Sequence, residues 1–103
     1  MYNTDVSVEW RKIISFCSHK VESDIRRLKR FSELMLIAEK LGNVGDCELY
    51  KNWCISQCYY AIQDYEILMS LRKFLSLRSK IKLSNSMSAV YDFLQKHNCN
   101  AQA

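Results

Sequence analysis

No proline occurs among the 103 residues, and glycine occurs only twice, at Gly42 and Gly45. An all-β fold needs turn residues at every hairpin, so this scarcity points instead to few, long helices. A glycine-rich phosphate loop is also missing. The segment Gly42-Asn43-Val44-Gly45 lacks the Lys-Ser/Thr continuation of a nucleotide-binding loop. No apolar run approaches the ~18–20 residues of a membrane span. The longest, Leu34-Met35-Leu36-Ile37-Ala38, suits a core or an interface. The opening MYNTDVSVEW has no basic stretch followed by an apolar one, so no export signal is expected. The cysteines number five, an odd count, and are expected to be reduced, in a cytoplasmic protein.

What is present suits one soluble helical domain. A hydrophobic content of 49% and a charged content of 25% exclude a disordered chain. From Val6 onward, Val6, Trp10, Ile13, Ile14, Cys17, Val21, Ile25, Leu28, Phe31 and Met35 recur at spacings of mostly three and four. That is one stripe of an amphipathic helix. Gly42 suits the left-handed position that closes it, and Asp46 is the expected cap of a second helix. A short loop makes the two helices antiparallel neighbours. The expected fold is therefore all-α: a long helical hairpin over about 5–41 and 46–83, then a short helix over about 87–97 capped by Ser84-Asn85-Ser86. The polar stretch 98–103 is expected to fray. Breaks at Ser23-Asp24 or within Ser76 to Ser79 are compatible with the pattern.

The second helix carries two apolar stripes. Leu49, Trp53, Tyr60, Ile67, Leu71 and Phe74 form the first, which is expected to pack on the first helix. Cys54, Cys58, Ala61, Tyr65, Leu68 and Met69 form the second. Its small side chains allow close approach by the third helix or by another chain.

Little here suggests chemistry. Cys54 and Cys58 share a helix face, but a closed zinc site needs two further ligands. Free cysteine is in any case a commonly buried residue. No nucleophile has a base and an irregular backbone beside it, so neither catalysis nor a cofactor is expected. Asp24 breaks the apolar stripe of the first helix. A hairpin pivoting near Val44 brings it close to Asp64, a pair able to hold a metal or share a proton. No Glu-x-x-His motif accompanies the pair. The expected role for Asp24 is thus a paired one, accepting a hydrogen bond from Tyr60 or Tyr65 or meeting an arginine of a partner chain.

Two surfaces suggest binding. Phe16, Leu34, Leu36, Ile37 and Leu41 lie off the main stripe of the first helix, and Ile55, Tyr59 and Ile62 lie off those of the second. Such a surplus marks an interface with a second copy or another protein. The partner-binding residues are expected to be Leu34, Leu36, Ile37, Leu41, Ile55, Tyr59 and Ile62, in a non-catalytic adaptor, chaperone-like or inhibitory protein. The alternative is a nucleic-acid-binding protein. The open end of the hairpin collects Arg11, Lys12, Arg72, Lys73, Arg78, Lys80 and Lys82, against a net charge of +4 for the chain.

Overall fold

A computed structural model describes residues 4–74 and 83–97, with side-chain surroundings over 9–73 and 86–97. The fold is all-α, with three helices: α1 (Thr4–Lys40), α2 (Val44–Phe74) and α3 (Leu83–Lys96). Each packs on the other two. The molecule measures 63 × 22 × 19 Å. At the ~10 Å diameter of a helix, that is two helices thick, so each helix keeps one side toward solvent.

Helix α1 runs unbroken through Ser23-Asp24. It contains no proline or glycine, and Val21, Ile25 and Leu28 form a continuous buried seam across that point. It ends as expected, with Gly42 at φ 71°. The Asn43 amide donates to the Ala38 carbonyl at 2.9 Å and the Gly42 amide to that of Glu39 at 3.1 Å, a Schellman closure.

The start of α2 differs from expectation. Asn43, not Asp46, is the cap: its Oδ1 accepts from the Asp46 amide at 3.0 Å. Asn43 Nδ2 in turn donates to Asp46 Oδ2 at 2.8 Å, so the cap holds both the amide and the side chain of Asp46 and places Val44 and Gly45 inside the first turn. Helix α3 also begins early, at Leu83, so Ser84-Asn85-Ser86 lies within it instead of preceding it. No residue there breaks a helix, and Met87, buried in the core, fixes the register. The expected extension of α2 to 83, the possible break at 76–79 and the tail 98–103 lie outside the described residues.

The Cys54 stripe of α2 meets α3, as expected, but it also takes the place against α1 expected of the bulkier stripe. Cys54, Cys58, Ala61 and Leu68 are wholly buried. They meet Val21, Ile25, Leu28 and Met35 of α1 and Met87, Val90, Phe93 and Leu94 of α3. The Cys58 thiol donates to the Val90 carbonyl at 3.7 Å, tying α3 to α2. Small residues win the inward position because one face of α2 must admit two helices at once. The bulkier stripe is left facing outward.

Candidate functional site

Leu49, Trp53, Tyr60 and Ile67 are 44%, 43%, 56% and 47% exposed, respectively. At about 100° per residue, they fall along one line of α2. Beside them on the same side stand Asn52, Ser56, Gln63 and Ser70, all exposed and all uncharged. This outward sector spans about 120° and holds no charged residue from Leu49 to Leu71. A solvated helix face normally carries charge. The charges of α2 lie at the margins of the sector or beyond it, with Asp64 on the α1 side and Glu48, Glu66 and Lys73 on the other. Trp53 is held edge-on against Phe31 and Tyr50, with ring centroids 5.4 Å away in each case.

Next to this line, a cleft of about 440 Å³ opens between α1 and α2. Lys20, Asp24, Arg27, Gln57, Tyr60, Gln63, Asp64 and Ile67 line it. Arg27 organises one wall. It donates to Asp24 Oδ1 at 2.6 Å, to Ser23 Oγ at 2.8 Å and to Gln57 Oε1 at 3.2 Å. Lys20 Nζ lies 3.7 Å from Asp64 Oδ1. Asp24 is only 2% exposed. Burial pushes its carboxyl up to about 6; the nearby Asp64 adds to the rise, and Arg27 opposes it. Asp24 Oδ2 has no hydrogen-bond partner.

The hairpin register thus brings Asp24 and Asp64 together as the sequence indicates. The hydrogen-bond donor on Asp24 is a correction: it is Arg27 of the same helix rather than Tyr60 or Tyr65. The spacing Asp24-x-x-Arg27 was the available signal, since residues three apart on a helix are neighbours.

The other expected site residues are dispersed. Ile62 is buried in the core, which closes it to a partner, and Ile55 is half-buried against that core. Leu34 is half-buried, whereas Leu36, Ile37, Leu41 and Tyr59 are exposed. Leu34 and Ile37 lie about 60° apart around α1 and Leu41 falls between their directions, whereas Leu36 points about 100° or more away from all three; Arg27 and Arg30 share the face of Leu34 and Ile37. Of the basic set, Arg11, Lys12 and Lys73 are exposed and Arg72 is half-buried. Arg78, Lys80 and Lys82 lie outside the described residues.

Cys54 Sγ lies 3.7 Å from Ser32 Oγ, and burial pushes its thiol pKa up. Among the described residues, no group of three or more His, Cys, Asp or Glu side chains could hold a metal ion. No described helix is long and apolar enough to cross a membrane.

No family model, curated protein or solved structure matches the chain. The functional reading therefore rests on the surfaces of the molecule itself.

Proposed function

We propose that the protein is a non-catalytic protein–protein interaction module, an adaptor, chaperone-like or inhibitory protein, that buries the outward face of α2 against another helix. The observation that carries this reading is the line Leu49, Trp53, Tyr60 and Ile67, exposed within a charge-free sector. Depletion of charge and enrichment in aromatic residues distinguish the buried centre of an interface from ordinary surface. Tyr and Trp are also the residue types that most often dominate binding energy. A Trp already braced by Phe31 and Tyr50 loses little further side-chain freedom on docking. We place the site on α2 rather than at the turn-proximal residues around Ile37 and Leu41, because the face that Leu34, Ile37 and Leu41 share also carries Arg27 and Arg30, whereas the α2 sector carries no charge.

Photo-cross-linking tests this reading. A benzophenone side chain is placed at Tyr60 or Ile67, and in a control at Arg26, an exposed position on α1. In the native cell extract, the two α2 positions are expected to give discrete protein adducts and Arg26 none. Equal labelling from all three, or none from Tyr60 and Ile67, overturns the proposal.

A further inference from the structure

We infer that the occupant of this face is a second copy of the chain, docked antiparallel about a two-fold axis that passes beside Tyr60. The inference rests on the reading above and names its partner.

The spacing of the line is self-complementary. Trp53 and Ile67 each lie seven residues from Tyr60, and Leu49 and Leu71 each lie eleven. Reversing a second α2 about Tyr60 therefore sets Trp53 against Ile67 of the second copy and Leu49 against its Leu71, with the two Tyr60 rings meeting at the axis. Such an isologous contact satisfies every apolar position with the same set of residues. The seven-residue repeat also keeps the contact line straight along two lightly supercoiled helices.

Charge selects the antiparallel sense. The first turn of α2 is acidic, at Asp46, and its last turn is basic, at Arg72 and Lys73. Along the edge of the sector away from α1, Glu48 stands twelve residues before Tyr60 and Lys73 thirteen after it, both exposed. Antiparallel docking brings Glu48 of each copy beside Lys73 of the other, within about 1.5 Å of the same height. A parallel pair would instead gather both acidic first turns at one end and both basic last turns at the other. Opposed helix dipoles favour the same choice. Between those ends the sector is uncharged, so two copies of a cationic chain meet there without repulsion.

Sedimentation and cysteine cross-linking test the inference together. Single cysteines are introduced in a Cys17→Ser/Cys47→Ser/Cys99→Ser background, with helix content checked by circular dichroism. The native background should sediment as a dimer in a series rising to about 100 μM, where a micromolar association is saturated. Under mild oxidation, Tyr60→Cys should give a disulfide-linked dimer. Trp53→Cys alone and Ile67→Cys alone should not, because in this register each lies about 21 Å along the axis from its own copy. A mixture of Trp53→Cys and Ile67→Cys should cross-link. A monomer throughout the series overturns the second copy as occupant, while the photo-cross-links at Tyr60 still decide whether the face binds protein. A dimer in which Trp53→Cys cross-links to itself overturns the antiparallel register. A dimer unaffected by Ile67→Glu overturns the assignment to this face.

Discussion

Truncating Leu68 to alanine should cost the fold about 3 kcal/mol, whereas the same truncation one residue earlier, at Ile67, should change it by less than about 0.5 kcal/mol. The contrast follows from the rotation of α2. Leu68 is wholly buried between α1 and α3, so its loss leaves a cavity as well as removing buried apolar surface. Ile67 is 47% exposed, and its neighbours along the outward line are exposed too. Urea titrations at low protein concentration, where the chain is monomeric, provide the comparison. For a domain of this size, the Leu68 variant should also melt roughly 12–24 °C below the parent. Equal losses at the two positions would mean that the bulky stripe shares the core.

That rotation is what hydropathy did not convey. Both α2 stripes are apolar, and periodicity reports that a helix has two such sides without saying which neighbour each one meets. The heavier stripe, with Trp53, Tyr60 and Ile67, looked like core because large side chains bury more area. The decisive factor was crowding: α1 and α3 both approach α2, and only Cys54, Cys58 and Ala61 leave room for both. The same mistake about rotation placed Ile62 on the surface. Other features were readable because they rest on local chemistry. Gly42 was one, since a left-handed residue ends α1. The approach of Asp24 to Asp64 was another, since a short turn fixes the hairpin register. Helix starts are less legible, because Asn43 and Asp46 both resemble caps and it is Asn43 that acts as one, while α3 begins before the polar run ahead of Met87.

Replacing Asp24 with asparagine should stabilise the protein at neutral pH and leave it nearly unchanged at pH 4. Asp24 titrates at about 6 in the fold against an ordinary value of 3.8. A carboxyl raised in this way binds its proton more tightly in the folded than in the unfolded chain. Its contribution to stability is fully present below pH 3.8 and is lost as pH rises through 6. The shift corresponds to about 3 kcal/mol. The groups facing it are Asp64, which opposes ionisation, and Arg27, which favours it, with Lys20 paired to Asp64. Asparagine keeps the shape of the protonated acid and never ionises. Relative to the parent, the Asp24→Asn variant should therefore gain up to about 3 kcal/mol between pH 4 and pH 7. The cost is the Arg27 pair, which is small because the guanidinium is half exposed. Paired urea titrations across that range measure the difference, and a constant offset between the two proteins would show that Asp24 is ionised throughout.

The buried Asp24 sits beside the exposed apolar line of α2, and the two share one groove. Tyr60 and Ile67 line both the cleft above Asp24 and the outward face of α2. Under the proposed docking, water would leave the cleft, which would strengthen the preference of Asp24 for its proton.

The most direct test of the outward face as the binding surface is the double substitution Tyr60→Glu/Ile67→Glu, examined for stability and association in the same preparation. Both positions are about half exposed, so the urea midpoint of the dilute protein should stay close to that of the parent while association is lost. A large fall in the midpoint, or a variant that associates as the parent does, would contradict the assignment of this face to binding.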